Sequence, residues 1–254
     1  GLIYHGDLDF TCDFIGGLWA VESLKLPRQQ KRAVWSVTGD NQTAGFVEDF
    51  GKLKYLTVKG AGHMVPSDKP KEAKAMLDQF MLKSPISSGT GMVVTTIPGS
   101  AIIQMRMMIG PLLVDDEGKT LRVNDYAWNK NANMVCIESP IGVGFTYNAS
   151  GVYASDDVAQ ADDLYWMLQT FFSKFPWLRE NDFIITGESY GGIYVPMTAK
   201  RIVEGNQKND TSTKINLTKF AVGNGANEFM TLSQITFAYY HGLISTDVYK
   251  AVAA

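Results

Sequence analysis

The sequence predicts an α/β fold in which a mostly parallel sheet is covered by helices on both faces. Short apolar runs typical of buried strands alternate with longer stretches whose apolar residues recur at helical spacing. This alternation favours parallel pairing, because the crossover between parallel strands is usually a helix that packs on the sheet. A length of 254 residues fits one large domain of this class.

The individual elements follow from the same patterns. Six apolar segments are predicted to be strands: residues 2–4, 53–58, 92–97, 134–138, 183–186 and 220–222. Five segments have helical periodicity: residues 13–26, 71–82, 155–174, 190–204 and 231–240. Residues 83–91 are enriched in Ser, Gly and Pro, which indicates a linker. We therefore expect a single domain over residues 1–254, divided by the linker into parts 1–82 and 92–254.

The charge pattern excludes several classes of partner. The net charge is -3, and acidic and basic residues are interspersed without a long basic run. Such a surface gives no electrostatic attraction for nucleic acid or for an anionic membrane. No apolar stretch approaches the roughly 20 residues that a membrane-spanning helix requires, so no membrane span is predicted.

The cysteines and the glycosylation sequons are the features that are informative about bound groups and about the cellular compartment of the protein. Cys12 and Cys136 form no metal-type pair and are too few for a disulfide framework. We predict no bound metal and no cofactor. Four Asn-x-Ser/Thr sequons begin at Asn41, Asn148, Asn209 and Asn216. Four sequons in polar segments favour a glycoprotein of the secretory pathway, in a lysosome or vacuole or outside the cell.

A nucleophile elbow is predicted at residues 187–191, Gly-Glu-Ser-Tyr-Gly. This G-x-S-x-G motif stands between an apolar strand and a helix, where a sharp turn exposes the serine and the helix N-terminus favours developing negative charge. Ser189 is then the nucleophile, and the backbone N–H of Tyr190 is an oxyanion donor. A serine in a tight turn without chemistry is the alternative, but it leaves the strain of the turn unexplained.

Five segments carry a resemblance to a known family. They are residues 185–196, Ile-Thr-Gly-Glu-Ser-Tyr-Gly-Gly-Ile-Tyr-Val-Pro; residues 138–147, Glu-Ser-Pro-Ile-Gly-Val-Gly-Phe-Thr-Tyr; residues 221–225, Ala-Val-Gly-Asn-Gly; residues 4–12, Tyr-His-Gly-Asp-Leu-Asp-Phe-Thr-Cys; and residues 60–66, Gly-Ala-Gly-His-Met-Val-Pro. Together they resemble the signatures of the serine carboxypeptidases. The resemblance implies an α/β-hydrolase-type sheet.

The resemblance also implies roles for single residues. The triad would be Ser189 as nucleophile, His63 as general base and then acid, and Asp9 as the carboxylate that orients the imidazole. Asp7 competes with Asp9 for the acid role and is interpreted as a turn residue. Glu188 matches the residue that binds the C-terminal carboxylate of the substrate, and two facing acids that share a proton imply an acidic working pH.

Other residues near these motifs are assigned more loosely. Gly187 is grouped with Glu188 in substrate binding. Cys12 either lines the site or is a small buried hydrophobe. Trp19 and Tyr190 are either walls of the substrate pocket or ordinary packing residues.

The chain departs from the family pattern in its order. The resemblance implies Ser before Asp before His, whereas here Asp9 and His63 precede Ser189. A linker of nine residues can span close to 30 Å, which exceeds the roughly 19 Å across four strand spacings. We therefore expect a permuted strand order in one domain, without the first two edge strands and without the cap region of the family.

A second departure lies at residues 93–100, Val-Val-Thr-Thr-Ile-Pro-Gly-Ser. Alignment with the family's loop puts Thr95 at the position of a carboxylate-binding Asn and Ile97 at that of the oxyanion glycine. A β-branched residue resists the backbone conformations that glycine permits, so the N–H of Ile97 is a weaker oxyanion donor. Losing one such donor costs about 10² to 10³ in rate.

The predicted function is a serine carboxypeptidase that releases C-terminal residues from peptides or proteins through an acyl-enzyme at acidic pH. An acyl-transferring relative would use the same intermediate. Two alternatives stay open: a catalytically impaired relative that binds peptides or proteins, and a rearranged fragment of the family. A homodimer is left open as a further partner.

Overall fold

The computed structural model describes residues 1–82, 92–98, 109–115, 118–153, 156–208 and 213–253. The chain divides into two compact units, Gly1–Met76 with Val222–Ala254, and Leu77–Ala221. The predicted linker, residues 83–91, lies outside the described residues. The single domain over the whole chain stays a prediction.

The first unit contains a four-stranded mixed sheet. Its elements, in chain order, are β1 (Leu2–Gly6), α1 (Phe14–Ser23), β2 (Gln30–Trp35), β3 (Gly45–Asp49), β4 (Lys54–Val58), α2 (Val65–Asp68) and the start of α3 (Pro70–Leu82). The strand order is β2-β3-β4-β1. The pair β1 and β4 is parallel, whereas β2 and β3, and β3 and β4, are antiparallel. These elements confirm the strands predicted at residues 2–4 and 53–58 and the helices predicted at residues 13–26 and 71–82.

The second unit contains three parallel strands and two long helices. Its elements are β5 (Met92–Pro98), β6 (Leu112–Asp115), β7 (Thr120–Val123), β8 (Asn133–Ser139), α4 (Asp157–Lys174), β9 (Phe183–Glu188), α5 (Gly191–Lys208) and most of β10 (Leu217–Gly223). The parallel strands follow the order β9-β5-β8, and β6 and β7 form a separate antiparallel hairpin. The strands predicted at 92–97, 134–138, 183–186 and 220–222 are confirmed.

Burial explains why the strand β9 was predictable. All six of its residues are buried, and Phe183, Ile184 and Ile185 are among the largest side chains of the core. A parallel strand covered on both faces has such a continuous apolar run.

The helices α4 and α5 pack closely, because Gly205 leaves room for the phenol of Tyr165. The chain is α/β, as predicted.

The end of the chain returns to the first unit. The helices α6 (Met230–Tyr240) and α7 (Thr246–Val252) follow β10, and α6 packs on α1. Ser233 of α6 donates to Asp13 at 2.6 Å, while Asp13 caps α1 by accepting from the N–H groups of Ile15 and Gly16. One buried carboxylate thus holds the start of α1 and the side of α6 together.

None of the helices in the described ranges is long and apolar enough to cross a membrane.

A close backbone approach fixes the end of β1. A Cβ atom on Gly6 would lie 2.2 Å from the carbonyl oxygen of Gly62 and 2.4 Å from that of Ala61. These atoms belong to backbone, so a larger residue could be accommodated only if the strand and the loop separated. Gly6 therefore allows the loop after β4 to lie directly against the end of β1.

We predict that Gly6→Ala destabilises the protein by about 2 kcal/mol, because the added methyl overpacks this backbone contact. Urea unfolding measures the change. Gly39→Ala is the control, since its φ is +81° but a Cβ there meets no atom within 4 Å. It should cost about 1 kcal/mol through backbone strain alone. Equal losses in both variants would contradict the steric explanation.

Candidate active site

The carboxylate of Asp9 accepts four hydrogen bonds from the residues around it. It lies between the end of β1 and the start of α1 and is buried. Its Oδ1 accepts the N–H of Thr11 at 2.9 Å. Its Oδ2 lies 3.2 Å from the donating N of Cys12, 2.8 Å from Nδ2 of Asn224 and 2.7 Å from Nδ1 of His63. These donors satisfy a buried charge that would otherwise be costly.

The balance of these contacts keeps Asp9 ionised. Burial raises the pKa of the Asp9 carboxyl, but hydrogen bonds from His63, Asn224 and Thr11, together with the charge of His63, hold it below its ordinary value. An ionised carboxylate only accepts, so Nδ1 of His63 carries the proton. Nε2 of His63 is then left as the basic nitrogen of the ring.

The histidine is positioned by the loop between β4 and α2. Its side chain is 29% exposed, so one edge is accessible while the other contacts Asp9. Asp7 serves a different purpose: its Oδ1 accepts the N–H of Gly60 at 2.7 Å, at the start of the same loop. The geometry thus joins His63 to Asp9 and leaves Asp7 as a turn residue.

A second histidine lies beneath the acid loop. His5 on β1 is buried, and its Nδ1 lies 3.0 Å from the carbonyl oxygen of Cys12. Burial lowers the pKa of His5 to about 4, despite the hydrogen bond to Cys12 and the charge of Asp9 that favour the protonated form. His5 is therefore neutral at pH 7 and donates from Nδ1 to hold the loop.

The same region contains a set of metal-ligating atoms. Within the described part of the chain, Asp9, Cys12 and His63 offer ligand atoms that all lie within 4.8 Å of one another. The Oδ2 of Asp9 and the Nδ1 of His63 are already joined to each other. This arrangement fits an acid–base pair better than a bound metal. Around a metal, the same two atoms would point toward the ion and not toward each other.

The second unit contains the predicted elbow. The strand β9 ends at Glu188, and α5 begins at Gly191. Ser189 between them has φ of +58°, a left-handed conformation that is strained for a residue with a side chain. The N–H of Gly192 donates to the carbonyl of Ser189 at 2.9 Å, which closes the turn. Such strain at a partly exposed serine is typical of a nucleophile elbow.

The neighbours of Ser189 differ in exposure. Glu188 is buried, whereas Tyr190 is 42% exposed. The hydroxyl of Tyr190 donates to Oδ2 of Asp157 at 3.3 Å, and its ring meets the ring of Tyr194 edge to face. The charge of Asp157 and partial desolvation raise the pKa of Tyr190. Tyr190 is thus a surface residue at the mouth of the elbow and not a core residue.

The residues aligned with the family's oxyanion loop lie on β5. Thr95 pairs with Thr186 of β9 on one side and with Cys136 of β8 on the other. Thr96 pairs with Gly187 and is the last residue of β5 in register with β9. Ile97 comes one residue later, at the carboxyl end of the strand beside the elbow. That is the edge at which ligands bind in parallel α/β sheets.

The structure therefore brings the predicted residues together in two groups. Asp9 and His63 form a hydrogen-bonded pair in the first unit. The elbow residues 187–190 and the end of β5 are neighbours in the second unit. The assignment of all of them to one catalytic site stays a prediction.

Two other residues take on definite surroundings in the first unit. Trp19 meets Phe229 edge to face at 6.4 Å, which is a packing contact between α1 and the segment before α6. Asn224, whose amide contacts Asp9, was not predicted. The Ala-Val-Gly-Asn-Gly segment contains its signal, because it resembles a family signature, but the segment alone indicates no role for the asparagine.

The sequence matches the serine carboxypeptidase family over residues 1–83 and 98–254. The chain belongs to the serine carboxypeptidase family. Residues 84–97, which include Thr95 and Ile97, fall outside this match, so the roles of those two residues also stay predictions.

Among curated proteins, the chain is 42% identical to serine carboxypeptidase-like 32 of Arabidopsis thaliana over 149 residues, 57% of this chain and 32% of that protein. It is 40% identical to the lysosomal protective protein of Mus musculus over 145 residues, 56% of this chain and 29% of that protein. The chain spans about a third of the length of these relatives.

Among solved structures, the chain resembles a prohormone-processing carboxypeptidase from Saccharomyces cerevisiae. The TM-score is 0.55 and the identity 23%, over 61% of this chain and 35% of that one. This likeness supports the α/β-hydrolase type of fold that the serine carboxypeptidase signatures imply.

We predict that the buried His5 makes the protein lose stability on acidification. Its pKa falls from 6.5 to about 4 on folding, so between these pH values the unfolded chain takes up a proton that the folded state excludes. The stability is full above pH 6.5 and falls as the pH drops toward 4, by on the order of 3 kcal/mol.

Urea unfolding at pH 7 and pH 4.5 measures this loss. In His5→Gln, whose amide can still donate to the Cys12 carbonyl, the loss between the two pH values should be clearly smaller than in the unmodified protein. His241→Gln is the matched control, because His241 is an exposed residue at the end of α6. An undiminished loss in His5→Gln would show that other groups cause the acid sensitivity.

Proposed function

We propose that this chain carries the catalytic site of a serine carboxypeptidase, which releases C-terminal residues from peptides through an acyl-enzyme. The observation that carries the proposal is the 2.7 Å hydrogen bond between Nδ1 of His63 and the ionised Asp9. It leaves Nε2 of His63 as a base. Membership of the family and the strained turn at Ser189 support the same function.

The proposed reaction has two halves. In the first, Nε2 of His63 removes the proton of the Ser189 hydroxyl while its oxygen attacks the last peptide carbonyl, and the same proton then passes to the leaving amine. In the second, His63 activates a water that hydrolyses the ester. Asp9 stays ionised throughout and stabilises the imidazolium.

The backbone N–H of Tyr190 and that of Ile97 are the proposed oxyanion donors. The first belongs to the turn at the start of α5, and the second lies at the end of β5 beside that turn. Two donors aimed at the developing oxyanion would supply much of the rate enhancement.

Glu188, with Gly187 and Thr95, is the proposed subsite for the substrate's terminal carboxylate. A buried carboxylic acid can donate a hydrogen bond to a carboxylate only while it is protonated. Two charged carboxylates would repel each other in such a site, so binding is favoured in acid. Such a subsite would favour partners that end in a free carboxylate, as peptide and protein C-termini do.

Among the sequon asparagines, Asn41 and Asn216 are exposed and Asn148 is partly exposed, which supports a glycoprotein of the secretory pathway, the lysosome or vacuole, or the extracellular space. The fourth, at Asn209, lies outside the described residues. A mass loss on enzymatic deglycosylation of protein made in a eukaryotic secretory host would support this placement.

A peptide-binding module without turnover is the second candidate. It is favoured by one observation: the segment with the proposed donor Ile97 lies in the part of the chain that the family match leaves out. In that case Asp9 and His63 would be retained without an effective oxyanion site.

We predict that a fluorophosphonate probe labels Ser189 in folded protein at pH 5 to 7, and that peptides with a free C-terminus lose residues from that end. Mass spectrometry measures both. Ser189→Ala should abolish labelling, and Asp9→Asn should lower kcat by about 10⁴ because the imidazole loses its orientation. Labelling equal in the unmodified protein and Ser189→Ala would exclude the catalytic function.

We also predict that Glu188→Gln removes the preference for acid in substrate binding. The amide donates at every pH, so the KM for a carboxylate-ended peptide should cease to rise as the pH increases. The matched control is the same peptide with an amidated C-terminus, whose KM should not depend on pH in either protein. A KM that still rises with pH in Glu188→Gln would remove this residue from the carboxylate subsite.

A further inference from the structure

Asn224 is a fully buried polar residue with no role in the proposed reaction. Its side chain is 0% exposed, and it lies directly after β10 in the Ala-Val-Gly-Asn-Gly segment. Its φ is +42°, a left-handed conformation that asparagine tolerates better than most residues with a side chain. A buried, conformationally unusual asparagine requires an explanation from its contacts.

Its hydrogen bonds fix which way the amide points. The N–H of Gly6 can only donate, and it lies 3.2 Å from Oδ1 of Asn224. The opposite atom, Nδ2, lies 2.8 Å from Oδ2 of Asp9, which as an ionised carboxylate can only accept. A reversed amide would place its NH₂ group against the N–H of Gly6 and its oxygen against Oδ2 of Asp9. Only the observed orientation therefore satisfies both partners.

The backbone of Asn224 is anchored independently. Its N–H donates to the carbonyl of Tyr4 at 2.8 Å, and Gly223 before it leaves room for the Tyr4 ring. The residue is thus fastened to β1 at Tyr4 and at Gly6, on either side of the strand position of His5. This rigid attachment gives the Nδ2 donor a defined position relative to Asp9.

The oxygen that Asn224 contacts is the one that His63 uses. Nδ2 of Asn224 and Nδ1 of His63 both donate to Oδ2 of Asp9, while Thr11 holds Oδ1. The carboxylate therefore cannot rotate without losing a donor on each oxygen. We propose that Asn224 is a positioning residue that holds Oδ2 of Asp9 toward His63 and thereby selects the productive tautomer of the imidazole.

The expected effect of Asn224 on kcat rests on the proposed function, whereas its positioning of Asp9 does not. The hydrogen-bonded cluster itself belongs to the first unit and can be examined without catalysis. Besides Asp9 and His63, the titratable groups of that unit near the cluster include His5, which is neutral above pH about 4, the thiol of Cys12, and the phenol of Tyr4, which lies against Gly223.

The test uses Asn224→Asp, which separates the two contacts of the amide. The introduced carboxyl group keeps an acceptor for Gly6, but while ionised it offers Asp9 an acceptor instead of a donor. At pH 7 we expect kcat to fall roughly 10- to 100-fold with KM changed by less than about twofold. As the pH falls, the carboxyl group becomes protonated and donates again, so the activity relative to the unmodified protein should recover.

Asn227→Asp is the matched control. Asn227 lies three residues later, where its Oδ1 accepts from Phe229 and its Nδ2 donates to Gly225, without contact to Asp9. Its activity relative to the unmodified protein should not change with pH. A constant relative activity of Asn224→Asp across the same pH range would overturn the proposal, as would unchanged activity at pH 7.

Nitrogen-15 spectra of His63 provide a measurement that needs no turnover. The unmodified protein and Asn227→Asp should show one tautomer, with a slowly exchanging proton on Nδ1. Asn224→Gly accepts the positive φ and removes the amide, so it should show mixed tautomers and fast exchange. If the His63 spectrum is the same in all three, the proposal is wrong even where peptidase activity is present. If it changes as expected in a protein without turnover, Asn224 positions the pair and only the proposed function fails.

Discussion

The hydrogen bond between Asp9 and His63 depends on the meeting of separate chain segments in the first unit. The end of β1 supplies the loop with Asp9, the connection from β4 to α2 supplies His63, and the residue after β10 supplies the amide of Asn224. Gly6 makes this meeting sterically feasible, because no side chain separates β1 from the histidine loop. Each of these donors contributes to stabilising the ionised carboxylate at the centre.

The sequence was sufficient to predict the residues with a chemical signature. The Gly-Glu-Ser-Tyr-Gly turn between an apolar strand and a helix indicated Ser189, and the structure has the left-handed φ that such a turn requires. The apolar runs at β1, β4 and β9 predicted strands, since strands that are buried in a sheet have nearly continuous apolar sequences. In these places local pattern and tertiary environment agree.

Other features could not be read from local pattern. The strand β2 begins with Gln30, Lys31 and Arg32, all exposed, because it lies at the edge of its sheet and pairs antiparallel with β3. Its polar sequence gives no apolar run, and only its partner makes it a strand. The role of Asn224 is equally non-local, since its amide contacts residues more than 200 positions away.

Asp9 and His5, two buried side chains of the first unit, respond to acid in different ways. Asp9 keeps its charge to lower pH than an ordinary aspartate, so the dyad persists in acid. His5 is stable in the fold only as a neutral ring, so acid acts against the folded state before it acts on Asp9. If the protein works in acid as proposed, the stability of the fold limits its working pH from below before protonation of Asp9 does.

The central claim is that Ser189 and His63 act together in the same catalytic step. A double-mutant cycle on kcat tests it most directly. The effects of two substitutions on kcat are not additive when both residues serve one step, because removing either residue abolishes that step. The proposal predicts that the double variant Ser189→Ala with His63→Ala is no slower than Ser189→Ala alone. Losses that multiply in the double variant would show that the two residues act independently and would contradict the claim.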